Sequence, residues 1–273
     1  MFEYELGFIG AGNMANALIN GILKSDLYKK DRICASDIKD EALKKISEKF
    51  GIKVFSSNAE LVKKSRIVVL CVKPQNMKEA LEEIKEAITD AHLVISIAAG
   101  VPIKAIAKIL GNDIPVIRVM PNTPALVQKG ISAIANGANV KQEYVNIALD
   151  IFNSVGETIV VDEQLMDVIT AVSGSGPGFI FRIMECMVES AVRLGLNSSD
   201  ANELVIQTFV GASFLAKESK ESLSKLREMV TSPKGTTEAG LRVFEDKGLK
   251  DTIHEAIYAA YKRSIEIKRE WEK

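Results

Sequence analysis

Over its first 160 or so residues the chain alternates short apolar runs with charged stretches in which Leu, Ile and Ala recur at helical spacing. Runs of that kind, bounded by turn residues, read as strands covered on both faces, and the rhythm is that of βα units feeding a parallel sheet. The spacing predicts strands at Leu6–Gly10, Arg32–Ser36, Lys53–Phe55, Ile67–Val72, Leu93–Ile97 and Pro115–Val119, with weaker ones at Ile131–Ala135 and Thr158–Val161. Amphipathic stretches such as Glu41–Phe50 and Asn76–Ile88 supply the intervening helices. After Asp162 the strand pattern stops and long helical patterns follow, interrupted at Ser173–Pro177, Gly195–Ser199, Thr231–Gly235 and Gly248. The expectation is an α/β domain over 1–161 and an all-helical domain over 162–273. Within the second, the stretch 178–194 is apolar around much of its circumference, with Phe179, Ile180, Phe181, Ile183, Met184 and Met187. Such a helix needs cover on several sides, from a second subunit or as the central helix of a monomeric bundle.

Charge narrows the partners. With 273 residues and a formal net charge of -1, the two signs evenly spread, there is no basic stripe for nucleic acid, which leaves a small molecule as the expected partner. No apolar run approaches the ~18 residues of a membrane span. The N-terminus carries Glu3 and Glu5 and lacks the pattern of a signal peptide, so a cytoplasmic location is expected. Cys34, Cys71 and Cys186 lie far apart in apolar surroundings and read as reduced, mostly buried thiols. His92 and His254 are isolated and no metal-ligand spacing occurs, so no metal is expected.

The segment Gly7-Phe8-Ile9-Gly10-Ala11-Gly12-Asn13-Met14-Ala15 closes the first strand and opens a helix, with small residues in a G-x-G-x-x-A arrangement from Gly10. Each position has a mechanical reason: Gly10 makes a tight turn, Gly12 admits a pyrophosphate close to the backbone, and Ala15 keeps helix and strand together. The helix N-terminus then offers N–H groups to phosphates. At the head of a run of βα units this reads as a dinucleotide site. The end of the second strand is ambiguous: Ser36 and Lys39 suit the 2′-phosphate of NADP, Asp37 opposes it, and Asp37 has a plainer reading as a helix cap. Three more loops fall at strand C-terminal ends, where open α/β sheets bind ligands: Ser57-Asn58, Cys71-Val72-Lys73-Pro74 and Ala98-Ala99-Gly100.

Hydride transfer needs neither metal nor covalent nucleophile, only orientation and charge control at an electrophilic carbon. Ser173-Gly174-Ser175-Gly176-Pro177-Gly178 and Thr231-Ser232-Pro233-Lys234-Gly235-Thr236-Thr237 both precede helical patterns and would present N–H groups and hydroxyls to a carboxylate; both also read as ordinary helix caps.

Taken in order, Gly7–Met14, Val72-Lys73-Pro74-Gln75, Arg118-Val119-Met120-Pro121-Asn122-Thr123-Pro124, Ser173–Pro177 and Val230–Pro233 resemble the pyrroline-5-carboxylate reductase family along the whole chain. The resemblance implies an eight-stranded Rossmann-type domain followed by a helical substrate-binding domain that dimerises with its twin, and family dimers that assemble by fives into decamers. It implies hydride transfer from NADPH, with NADH the open alternative, to the C=N bond of 1-pyrroline-5-carboxylate, giving L-proline. Carried over, Ile9, Gly10, Ala11, Gly12, Asn13, Met14, Ser36, Asn58, Cys71, Val72, Lys73, Pro74, Ile97, Ala98 and Ala99 are implied to line the dinucleotide. Gly235, Thr236 and Thr237 are implied to hold the substrate, with Thr237 catalytic through a hydrogen bond to the imine nitrogen. Two departures stand out: Gly178-Phe179 where the family has Ala-Tyr, and Lys234 where it has Gly. If that last position needs φ > 0, the lysine carries strain of about 1 kcal/mol or more. A reductase of another small imine or hydroxy acid, or a cofactor-binding relative with weakened catalysis, are the competing readings.

Overall fold

The computed structural model describes residues 2–271. Eight strands, β1 (Tyr4–Ile9), β2 (Ile33–Ser36), β3 (Lys53–Phe55), β4 (Ser65–Leu70), β5 (Leu93–Ser96), β6 (Val116–Met120), β7 (Gly130–Asn136) and β8 (Gly156–Val160), form one sheet in the order β3-β2-β1-β4-β5-β6-β7-β8. All eight expected strands are present within a few residues of their predicted bounds. The expectation of a parallel sheet needs one correction, because β7 runs antiparallel to β6. The linking residues 121–129 are fewer than the dozen or so that a parallel crossover takes, so the chain turns back.

Side chains of successive strand residues enter opposite layers, as the pleat requires. On β4, Ile67 and Val69 pack with α1 (Asn13–Lys24), α2 (Asp40–Phe50) and α6 (Gln142–Asn153). Val68 and Leu70 pack with α3 (Asn58–Lys64), α4 (Met77–Ile84) and α5 (Ile103–Leu110) on the other face. Burial on both faces explains why these strands read as continuous apolar runs rather than alternating ones.

After β8 the chain is helical: α7 (Met166–Ile169), α8 (Gly176–Arg193), α9 (Ser198–Glu218), α10 (Leu223–Met229), α11 (Thr236–Asp246) and α12 (Leu249–Trp271). The expected interruption at Ser173–Pro177 is a widened π turn over Thr170–Gly174 that joins α7 to α8. There Ser175 N donates to Thr170 O at 2.9 Å, five residues back. Pro177 sits in the first turn of α8, where a missing N–H costs no helical bond.

Secondary structure changes character after β8, whereas compactness divides the chain later, into Met1–Pro177 with Ala260–Lys273, and Gly178–Ala259. The first unit gains α7 because Met166 packs with Ala133 and Ala135 of β7. It gains the end of α12 because buried Asp167 accepts a 2.7 Å hydrogen bond from Ser264 and pairs with Lys268 at 3.6 Å. In the second unit, Ala201 and Val205 are the buried side chains among the described residues. Cys186, on α8, is exposed, which corrects the expectation of mostly buried thiols; Cys34 is buried and Cys71 partly so. Among the described residues no helix is long and apolar enough to cross a membrane.

Candidate active site

The turn after β1 is held by both neighbouring strands. Gly10 has φ +100°, a region side chains rarely adopt, and a Cβ there would stand 2.9 Å from the Cys71 carbonyl carbon. Its N–H donates to Ser36 O at 2.7 Å, and Cys71 N donates to Ile9 O at 2.7 Å. Gly12 is the N-cap of α1, no side chain caps the helix, and a Cβ on Gly12 would meet nothing. The first-turn N–H groups therefore keep their unsatisfied donors and the positive dipole end in open space, which fits a pyrophosphate. Asn16, which sequence reasoning missed, braces the turn by donating from Nδ2 to Ala11 O at 3.1 Å and Gly12 O at 3.0 Å. An Asn at this place in the first turn is the signal that would have found it.

Beside the turn lies a cleft of about 450 Å³ between the ends of β1, β2 and β4 and the start of α4. Of the expected dinucleotide residues, Ile9, Gly10, Gly12, Asn58, Cys71, Val72 and Lys73 line it. Ala11, Asn13 and Met14 flank the turn itself, and Pro74 opens the short turn Pro74–Asn76 whose Gln75 and Asn76 reach the lining. Ile97, Ala98 and Ala99 follow β5, next to β4 at the same sheet edge. Gly100 behind them has φ +73°, and a Cβ there would run into Ile267 of α12, so the loop is seated against that helix. Burial pushes the Cys71 thiol above its ordinary range and the Cys34 thiol up to about 12, so both stay neutral.

At the end of β2 the structure changes the readings of the Ser36 hydroxyl and of the Asp37 cap. Ser36 is 0% exposed and donates to Asn58 Oδ1 at 2.7 Å, so its hydroxyl faces the protein and not a phosphate. Asp37 does not cap α2, whose N-cap is Lys39 without a side-chain bond. Its Oδ2 accepts from Ala11 N at 2.8 Å and its Oδ1 from Lys39 N at 2.9 Å. Glu83 of α4 was not foreseen. It accepts from Asn58 N at 2.8 Å and from Asn58 Nδ2 at 2.6 Å.

Among the substrate candidates, the Ser173–Gly178 segment is corrected: it is helical, its Ser175 N–H is committed within the π turn, and the Ser173 hydroxyl donates to Ile169 O at 3.1 Å. Asn122 of the Arg118–Pro124 motif braces it, donating to Ser173 O at 3.2 Å while accepting from Ile131 N at 3.0 Å. The Thr231–Thr237 segment does form a helix start. Gly235 is the N-cap of α11, no side chain satisfies the first-turn donors through the cap, and Thr236 and Thr237 are exposed. Lys234 adopts φ +60°, the strained case anticipated for a lysine at a glycine position. Glu238, at the N3 position, accepts from Lys234 N, one residue before the N-cap, at 2.6 Å, while the Gly235 N–H donates to Ser232 O at 3.0 Å.

Comparison with known proteins agrees with this layout. Residues 163–267 match the family described as pyrroline-5-carboxylate reductase dimerisation, and residues 5–100 match that described as NADP oxidoreductase, coenzyme F420-dependent. A pyrroline-5-carboxylate reductase of Methanosarcina acetivorans is 42% identical over 98% of this chain and 99% of its own. The chain belongs to the pyrroline-5-carboxylate reductase family. Solved members share its fold. The reductase of Coxiella burnetii superposes with TM-score 0.89 at 37% identity, covering 97% of this chain and 98% of that one. The Plasmodium falciparum enzyme, with NADP bound, gives 0.88 at 31% identity, covering 98% and 100%. Both cover the eight-stranded sheet and the helices after it, so the Rossmann-type domain with a helical C-terminal part is the family architecture.

Proposed function

We propose that the chain reduces the C=N bond of 1-pyrroline-5-carboxylate with NAD(P)H, giving L-proline, a step of proline biosynthesis. The observation that carries this is 42% identity, end to end, with a relative named for the activity. The geometry of the Gly10 turn supports it. When bound, the dinucleotide supplies the hydride that reduces the imine carbon. The chain supplies the rest: the α1 N-terminus holds the pyrophosphate, and Val72 and Lys73 with Ile97, Ala98 and Ala99 line the way toward the nicotinamide. Gly235 and Thr236 hold the carboxylate on the donors of the α11 N-terminus, and the Thr237 hydroxyl hydrogen-bonds the ring nitrogen. Protonation makes an imine carbon more electrophilic and is available in solution, so the site works without a histidine or carboxylate acid. The reading includes a homodimer through the helical part, supported by the dimerisation match and by its exposed apolar side chains, and five such dimers forming a decamer. It includes a cytoplasmic location, supported by three unpaired thiols.

Oxidation of NADPH and NADH measured with pyrroline-5-carboxylate tests the activity. Rapid turnover is expected. Turnover only with another carboxylated imine, or cofactor binding without turnover, would replace the reading. Thr237→Ala is expected to lower kcat about 10²-fold if its hydroxyl acts in the transition state; an unchanged rate removes Thr237 from the catalytic role.

A further inference from the structure

Two carboxylates that the proposed mechanism does not use, Glu163 and Asp167, stand four residues apart on the segment after β8, with Met166 between them packed on β7. Both act on the loop 97–102, which leads from β5 to α5. In that loop Ile97 and Ala99 keep some exposure while Ala98, Gly100, Val101 and Pro102 are buried, so one side is open and the other is packed. Glu163 holds the far end. The N-cap of α5, Pro102, offers no side-chain bond, and Glu163 Oε1 accepts from Ile103 N at 2.7 Å and from the buried Arg118 Nη1 at 3.4 Å. Asp167 holds the middle of the loop through α12. It is 4% exposed, and each of its oxygens has a partner on that helix, Ser264 Oγ at 2.7 Å and Lys268 Nζ at 3.6 Å. Those two partners lie one turn apart, which fixes the rotation of the helix and with it Ile267. Ile267 abuts Gly100 so closely that a Cβ on the glycine would stand 2.5 Å from Ile267 Cγ2. We propose that Asp167, through Ser264 and Ile267, and Glu163, through Ile103, are positioning residues that hold Ile97–Ala99 against the nicotinamide and so set the hydride donor's place. The assignment rests on the function proposed above, in which this loop lines the way to the nicotinamide. Hydride transfer is sensitive to such placement, since a misplacement of about 1 Å costs on the order of 10²-fold in rate.

The test is steady-state reduction of 1-pyrroline-5-carboxylate by the full chain, using the reduced dinucleotide that the parent turns over faster, with hydrogen or deuterium at C4 of its nicotinamide. The dissociation constant of the same dinucleotide and the number of binding sites are read from its fluorescence, so that kcat is counted per functional site and unfolded protein does not enter it. Asp167→Ala and Glu163→Ala are each expected to lower kcat about tenfold while the dissociation constant moves less than about threefold, because the Gly10 turn is untouched. The deuterium isotope effect on kcat should be no smaller than the parent's, since hydride transfer is the step slowed. Ile267→Ala, which opens space behind Gly100 without stranding a charge, serves where the aspartate variant does not fold and is expected to act in the same direction. If the parent turns over and the variants keep kcat within about threefold, lose kcat and dinucleotide affinity by the same factor, or show a smaller isotope effect, this assignment is wrong while the proposed function stands. If the parent does not reduce the imine, the proposed function falls and takes the assignment with it.

Discussion

The two compact units bury their apolar residues in opposite ways. The unit built on the sheet encloses whole side chains such as Phe8, Leu18, Phe152 and Ile67, all inaccessible, between helices on both faces. The unit Gly178–Ala259 buries Ala201 and Val205 and leaves Phe181 58%, Phe214 52%, Leu204 57% and Leu194 90% exposed. Hydrophobic burial is the main favourable contribution to folding. The first unit has its own, while the second is made of helices whose apolar faces await cover. Exposed apolar surface of this extent marks an association site, and the dimerisation match falls on this stretch. The loop Thr231–Thr237, proposed above to hold the substrate, lies within this second unit.

The sharpest way to break the comparison is to truncate one aromatic in each unit. Phe8→Ala removes an inaccessible ring and is expected to cost about 3–5 kcal/mol in urea unfolding. Phe181 is more than half exposed in one chain, so a change there would by itself move stability by only about 0.5 kcal/mol. If α8 is covered by a second copy, Phe181→Glu instead buries an unpaired charge and weakens the dimer about 10²-fold or more, seen as monomer in sedimentation. A Phe181→Glu protein that stays dimeric would mean that α8 does not carry the interface.

Local chemistry was legible in the sequence and long-range pairing was not. The Gly10 turn could be read because its glycines, strand and helix are contiguous, and the strand runs because burial on both faces leaves an uninterrupted apolar signal. The direction of β7 depends on the length of the link 121–129, which apolar pattern does not encode. The cap reading of Asp37 fails because its partner, Ala11, is 26 residues away and arrives only through β1–β2 pairing. Glu83 meets Asn58 across 25 residues for the same reason, and Asp167 meets Ser264 across 97, which is why the compact division differs from the change in secondary structure. Lys234 was legible as a strained position because glycine is the residue expected there by resemblance, and its φ of +60° bears this out.

That strain offers a smaller test, inside the helical unit. Lys234→Gly keeps the backbone N–H that donates to Glu238 and removes the Cβ penalty of a left-handed residue, so it is expected to raise stability by about 0.5–1 kcal/mol after the entropy cost of glycine. The gain should appear as slower amide exchange around Gly235 and Thr236. A loss of protection there would show that the lysine side chain holds the loop.

The smallest effect probes how charge is used in the sheet unit. The ion pairs Arg182–Glu185 and Lys225–Glu228 each join residues of one helix, three apart, and at the surface contribute little. Glu5 of β1 instead receives Arg66 at 2.7 Å and Arg32 at 3.0 Å from neighbouring segments of the sheet. Burial alone would raise the Glu5 carboxyl, but the hydrogen bonds from Arg66 and Arg32 outweigh it and hold it below its ordinary value of 4.5. A carboxylate with a lowered folded-state value contributes stability that is fully present above the unfolded value and is lost as pH falls through the folded one. Because all three side chains remain partly exposed, Glu5→Gln is expected to cost no more than ~1 kcal/mol at neutral pH. The cost should shrink as the medium is acidified below 4.5, and parent and variant should unfold at the same urea concentration once Glu5 is protonated. A difference that survives in acid would assign the cost to packing of the Glu5 side chain, and the contrast with the helix-surface pairs would then lie in burial and not in charge.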